Sequence, residues 1–203
     1  MSNYKIYPNV ELGSNVTIED YCVIGKPPKG REDGELKTII GDNAVIRSNT
    51  IVYAGNKIGD NFQTGHQAMI RENNMIGNDV SVGTSSCVEH HVIIEDEVRL
   101  HSQVFVPEHS KLKEGCWIGP NAVLTNAKYP QSENVKENLK GAIIETNAKV
   151  GANVTLLPGI VVGKNSLVGS GSVIVNNVPE GKVVVGNPGQ VVKDISDIDE
   201  YKL

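Results

Sequence analysis

Residues 40–64 read IGDNAVIRSNTIVYAGNKIGDNFQT, and in them an aliphatic side chain returns at every sixth position: Ile40, Ile46, Val52 and Ile58. The same register runs on through Ile70, Ile76, Val82, Val88, Ile94, Leu100, Val106, Leu112, Ile118 and Leu124, with Thr64 its only break. Four residues after many of these leads the side chain is small or aliphatic, as at Ala44, Thr50, Ala68, Val80, Val92, Val104 and Ala122. A period of six is neither the 3.6 of a helix nor the 2 of a plain strand, so it marks a repeat architecture. One hexad supplies one short strand and one turn. Three hexads close a triangular coil of about 18 residues whose leads point inward, the geometry of a β-helix.

Working outward, Ile6, Leu12, Ile18 and Ile24 keep the spacing before the quoted stretch, and Ile144, Val150, Leu156, Val162, Val168 and Ile174 keep it afterwards. Two segments interrupt. Residues 26–39 carry two prolines, two glycines and many charges, and read as an exposed loop. Residues 126–141, NAKYPQSENVKENLKG, form a second loop that includes Lys128, Tyr129, Lys136 and Lys140. Loops this long are uncommon in compact domains and are often functional. Residues 180–203 form a tail with an acidic end. The single repeat predicts one all-β domain over residues 1–203.

The bulk properties exclude several classes. The chain of 203 residues has a net charge of −5 and a pI near 5.5, so it lacks the basic footprint of a nucleic-acid binder and the polybasic patch of a membrane-surface protein. No apolar run approaches the ~20 residues of a membrane span. The N-terminal MSNYKIYPNVELG has neither the charged nor the apolar region of a signal peptide. Three cysteines cannot all pair within one chain, and Cys22 and Cys116 occupy the small fifth hexad position as packed thiols. A reduced, cytoplasmic protein is expected.

Residues about 18 apart stack on successive coils, with adjacent strands about 4.8 Å apart. The third hexad position lies near a corner, so three vertical columns can be read. One carries Asp42, Asp60, Asn78, Asp96 and Glu114, residue types that bond backbone in tight turns. A second carries Ser48, His66, Thr84, Ser102 and Pro120, with His66 a candidate substrate contact. The third carries Ala54, Glu72, His90, Glu108 and Asn126, which places His90 between two carboxylates. Such neighbours raise the pKa of a histidine and orient its tautomer, an arrangement suited to a general base. Asn126 also opens the second loop, so column and loop meet. His91 is expected to point elsewhere around its turn, and His101 and His109 read as surface histidines.

The repeats IGDNAVI, IGDNFQT and VGKNSLVGSGSVI, the closing VPEGKVVVGNP and the loop opening IGPNAVLTNAKYP resemble the hexapeptide-repeat acyltransferases. The resemblance implies a left-handed parallel β-helix, against the usual right-handed crossover. It also implies a homotrimer with acetyl-CoA between subunits and no metal. Residues 98–141 are similar to N-acyltransferases of nucleotide-linked amino sugars, whose active-site glutamate and asparagine fall at Glu108 and Asn126. In lipid A acyltransferases the catalytic histidine falls at Glu72.

On this resemblance the expected reaction is acetyl transfer to a sugar amine, in surface-polysaccharide or glycan precursor synthesis. His90 is the first choice of base and Glu108 the second, with Glu72, Asn126, Tyr129 and His66 as substrate contacts. Gly151, Gly169 and Ser170 lie where the pantetheine arm is expected to run. The family's basic residue before the last proline is replaced by Asn176–Asn177, which leaves Lys182 or Lys193 for the CoA phosphates. Ala127 stands where the amino-sugar enzymes carry Asp. The alternatives are an O-acetyltransferase of the same fold or a carbonic-anhydrase-like metal enzyme. The latter needs a three-histidine set, for which His66 and His101 lack a partner at short offset.

Overall fold

The computed structural model describes residues 3–201, so residues 202 and 203 of the anticipated tail lie outside the described residues. The chain winds as a triangular parallel β-helix. Three sheets form its faces. The first has nine strands, from Lys5–Ile6 to Val173–Ile174; the second has eight, from Val10–Leu12 to Val161–Val162; the third has ten, from Thr17–Ile18 to Gln190–Asp194. Within each face a strand pairs in parallel with the one a full coil later, as in Met69↔Cys87 and Cys87↔Phe105.

The leads build the core. Ile40, Ile94, Leu112 and Ile118 are all within 2% of complete burial. Burying such a side chain stabilises by roughly 1.5–3 kcal/mol. The break at Thr64 is compensated locally. Phe62 fills the neighbouring small position and is fully buried. The Thr64 hydroxyl lies 3.2 Å from that of Thr50 and accepts from the Arg47 amide at 3.0 Å. The first coil departs from the inward pattern: Ile6 and Leu12 are 39% and 38% exposed, with no earlier coil among the described residues to cover them.

Both interruptions are insertions into an unbroken stack. Leu12 pairs with Ile40, ten residues beyond a coil's step, and Leu112 pairs with Ile144, fourteen beyond it. Lys26 ends one strand and Thr38–Ile39 begin another, so the first loop is narrower than residues 26–39. The tail begins as structure. Lys182–Val185 stacks on the third face, and Gln190–Asp194 returns antiparallel to it. Two short 3₁₀ turns follow, at Ile195–Asp197 and Asp199–Tyr201.

The acidic corner is tied between coils rather than within turns. Asp60 Oδ1 accepts from the Asp42 amide at 2.8 Å, Asn78 Oδ1 from Asp60 at 2.9 Å, and Asp96 Oδ1 from Asn78 at 2.7 Å. Gly59 precedes Asp60 because a Cβ there would strike the Asn78 carboxamide oxygen.

Candidate functional site

The third column forms a connected stack at the corner between the first and second faces. His90 Nε2 lies 2.8 Å from Glu108 Oε1, with both side chains about three-quarters covered. Asn126 Nδ2 donates to Glu108 Oε2 at 2.9 Å. One carboxylate therefore joins histidine and carboxamide across three coils. With a proton on Nε2 facing Glu108, a neutral His90 carries its lone pair on Nδ1. That nitrogen lies 2.7 Å from His91 Nδ1, so His91 supplies the hydrogen of this contact.

His91 thus corrects the expectation that it points away. It occupies the left-handed position of its turn, φ 57°, and its ring meets those of His90 and His109 at centroid distances of 4.9 and 6.1 Å. Burial holds the His91 pKa below the usual histidine value, helped by the positive charge His90 and His109 carry when protonated. The residue's own adjacency to His90 was the available signal.

Glu72 does not form the second carboxylate contact. Arg71 takes it in a bidentate pair, at 2.9 and 3.0 Å, and extends a third bond of 3.2 Å to Glu89. Burial is the largest single influence and raises the Glu72 pKa, but the Arg71 hydrogen bonds, the Glu72 amide and the Arg71 and His90 charges together outweigh it and leave the carboxyl below its ordinary value. Arg71 and Glu89, beside the column in sequence, were missed because they occupy flanking hexad positions. This corner is fixed from inside by two buried asparagines. Asn56 and Asn74 both donate to the Arg71 carbonyl, at 2.7 and 2.8 Å, and the Asn74 amide donates to Asn56 Oδ1.

Glu89, His90 and Glu108 bring ligand atoms within 4.8 Å of one another, and this is the one set of metal-ligand reach among the described residues. It is not a three-histidine set, and Arg71 already engages Glu89.

The second loop closes onto the column. The Lys140 amide donates to the Asn126 carbonyl at 2.9 Å, and Gly159 donates to the Lys140 carbonyl at 2.8 Å. Tyr129 stands 66% exposed, with Lys128 Nζ 5.5 Å from its ring centroid. A cleft of about 370 Å³ lies between Tyr129, Glu133, Lys140 and Pro158. Pro158 continues the His90 column one coil past Asn126.

The remaining candidates lie elsewhere. His66 sits at the corner between the third and first faces, with Nδ1 3.8 Å from Glu19. Ser170 belongs to that same corner, where its hydroxyl accepts from the Ala152 amide at 3.1 Å. Gly151 and Gly169 precede it in the stack, and a Cβ at either would strike the next coil, at Ser170 or Val185. Lys182 pairs with Asp194, which diverts it from a phosphate contact. Lys193 is exposed on the returning strand.

The fold and site together define a β-helix of stacked hexads carrying a histidine–carboxylate–carboxamide stack beside a long loop. Residues 141–176 match the family described as bacterial transferase hexapeptide (six repeats). A galactoside O-acetyltransferase from Lactococcus lactis subsp. lactis (strain IL1403) is 33% identical over 102 residues, 48% of this chain and 46% of its own length. A 2,3,4,5-tetrahydropyridine-2,6-dicarboxylate N-acetyltransferase from Staphylococcus aureus (strain JH9) is 35% identical over 85 residues, 42% of this chain and 33% of its own. The match thus spans less than half of either curated relative. A UDP-N-acetylglucosamine acyltransferase structure from Bacteroides fragilis 9343 superposes with TM-score 0.65 at 16% identity, over 100% of this chain and 78% of that one. Residues 141–176 thus carry the hexapeptide repeat of that family, and the fold is a left-handed parallel β-helix like that of the Bacteroides fragilis acyltransferase.

Proposed function

We propose that the protein is an acetyltransferase that moves an acetyl group from acetyl-CoA to the amine of a nucleotide-linked amino sugar. The observation that carries the reading is the Glu108-bridged stack of His90 and Asn126. The amine attacks the thioester carbonyl, forming the C–N bond. His90 Nδ1 removes the proton that the new amide cannot keep, and Glu108 stabilises the imidazolium through Nε2, as a carboxylate does in a triad. As the C–S bond breaks, the imidazolium returns that proton to the thiolate. For this to occur, the acceptor amine replaces His91 Nδ1 as the donor to His90. A fixed donor must meet the oxyanion of the tetrahedral intermediate, and backbone N–H groups at the turns beside Asn126 are of the right kind.

Acetyl-CoA as donor, a homotrimer with sites between subunits, and a cytoplasmic location complete the reading. The names of the two curated relatives, one an O- and one an N-acetyltransferase, support acetyl transfer and keep a hydroxyl acceptor as the second reading. A histidine oriented by a carboxylate is also what a hydroxyl nucleophile requires.

The test is thiol release from acetyl-CoA with UDP-, dTDP- and GDP-linked amino sugars beside matched hydroxyl acceptors. Turnover with an amine alone supports the proposal. Turnover with hydroxyls alone moves it to the second reading, and no turnover with any acceptor rejects it.

A further inference from the structure

The turn that carries His90 holds a ring that its backbone does not require. His91 is in the left-handed conformation, φ 57°, and the same place on the two preceding coils holds Gly55 and Asn73. Those residue types meet the demand of such a turn with little strain. The His91 amide donates to the Glu72 carbonyl at 3.3 Å, which ties the turn to the coil before it. The side chain is exposed. Its ring stands edge-on to that of His90, at an interplanar angle of 88°, and its Nδ1 lies 2.7 Å from His90 Nδ1. On its other side is His109 of the next coil, with the two rings inclined by 34°.

Two ring nitrogens at that distance share one hydrogen. Glu108 faces His90 Nε2 at 2.8 Å and keeps a hydrogen there, so the shared hydrogen belongs to His91 and the lone pair to His90. His91 therefore closes the one nitrogen through which a neutral His90 accepts a proton. Burial first, and then the His90 and His109 charges, hold His91 below the ordinary histidine value, against the opposing pull of Glu72 and Glu108. At neutral pH the cap is thus uncharged, and its bond is an ordinary one rather than a charge-assisted one. A bond of that strength yields to a ligand that is held by other contacts.

An open base beside a bound thioester has a competing reaction. Water attacks the carbonyl carbon and forms a C–O bond, while His90 Nδ1 takes the water's proton. The C–S bond then breaks, the proton passes to the thiolate, and acetate and CoA leave. An acceptor brings contacts remote from its amine that offset the displacement of His91, whereas water brings none. We propose that His91 is a specificity-determining cap, closing His90 Nδ1 against water and yielding to an acceptor anchored elsewhere in the site. The inference rests on the acetyl-transfer reading and adds to it the residue that separates transfer from hydrolysis. His91 acts through His90 and is a positioning residue.

Thiol release from acetyl-CoA with no acceptor present tests the cap. His91→Gly removes the ring and suits the left-handed turn, so the chain folds as the parent does. Its hydrolysis rate rises roughly three- to tenfold, the worth of one ordinary hydrogen bond. His91→Asn also suits the turn, as Asn73 shows, and carries an N–H donor close to the position of Nδ1; it returns hydrolysis toward the parent rate. Adding His90→Ala to His91→Gly abolishes the increase, because His90 is what activates the water. A purely structural role for His91 would not produce this order. Nitrogen NMR of the imidazoles reads the cap without turnover, and a hydrogen on His91 Nδ1 with none on His90 Nδ1 is expected. Equal hydrolysis by the parent and His91→Gly, an increase that survives the loss of His90, or a hydrogen on His90 Nδ1 overturns the proposal. Transfer by the parent to an amine acceptor, measured alongside, shows whether the acetyl-transfer reading stands in each case.

Discussion

Two corners of the same coils carry nearly the same residue types and do different things. At the acidic corner, the side-chain oxygens of Asp60, Asn78 and Asp96 each accept from a backbone amide of the preceding coil. At the His90 corner, the oxygens of Glu108 accept from side chains, those of His90 and Asn126. An acid whose partner is backbone closes the fold's own hydrogen-bonding account. An acid whose partner is a titratable ring tunes a proton instead. Spacing alone does not separate the two columns; chain length does. The one-methylene-longer Glu reaches past its own turn to the neighbouring column residue, where Asp and Asn stop at the backbone.

The sharpest way to break this contrast is to remove the ring. His90→Ala lowers kcat by about 10²–10⁴-fold, the range of a general base, with thermal stability nearly unchanged. Glu108→Gln keeps the shape but not the charge that stabilises the imidazolium, and loses roughly 10²-fold. The matched change at the other corner, Asp60→Ala, leaves kcat within about twofold of the parent, since its partner is the Asp42 amide. Steady-state rates of the three variants at saturating acetyl-CoA check the set. A His90→Ala protein within threefold of the parent removes the histidine from the mechanism.

The frame beneath both corners is expected to answer in stability alone. Ile94→Ala opens a cavity in a fully wrapped core position and destabilises by about 2–5 kcal/mol in denaturant titration. Asp60→Ala leaves the Asp42 amide without its partner at a solvent-exposed corner and destabilises by about 1 kcal/mol. If Asp60→Ala proved as disruptive as Ile94→Ala, the acidic ladder would be as much a part of the core as the leads.

The fold was legible because hexads repeat one physical instruction many times, from Ile40 to Leu124 and again from Ile144 to Ile174. The local error at Thr64 is outvoted by its neighbours. The site was half legible. His90, Glu108 and Asn126 share a column that arithmetic on the sequence places in contact. What arithmetic does not give is the choice each side chain makes among partners at similar range. Glu72 was expected below His90 and instead turns to Arg71, one residue away, because a guanidinium fork outcompetes a single imidazole hydrogen. His91 was expected to point elsewhere around its turn. It stands at the left-handed turn position, with its ring against those of His90 and His109. The bonds of Asn56 and Asn74 to the Arg71 carbonyl left no trace in the hexad pattern, which records size and polarity but not direction.

The smallest effect tests what Arg71 does for the corner. Glu72 is 12% exposed and paired, and its carboxyl lies below its ordinary value because the Arg71 bonds and charge, with the Glu72 amide and the His90 charge, together outweigh burial. A carboxyl depressed in the folded state contributes stability that is present above the unfolded pKa, about 4.3, and is lost as pH falls through the folded value. The parent should therefore lose this increment below about pH 4.3. Glu72→Gln, which has no proton to bind there, should lack it at every pH. Melting temperatures of the two proteins from neutral to acid should differ by a constant amount near neutrality and converge at the acid end. Arg71 retains Glu89 in the variant, so the difference at neutral pH is modest. A gap that stays constant through the acid range would mean that Arg71 does not hold the Glu72 carboxylate. The reason for Glu72 to turn from His90 would then have to be sought in the packing of the turn itself.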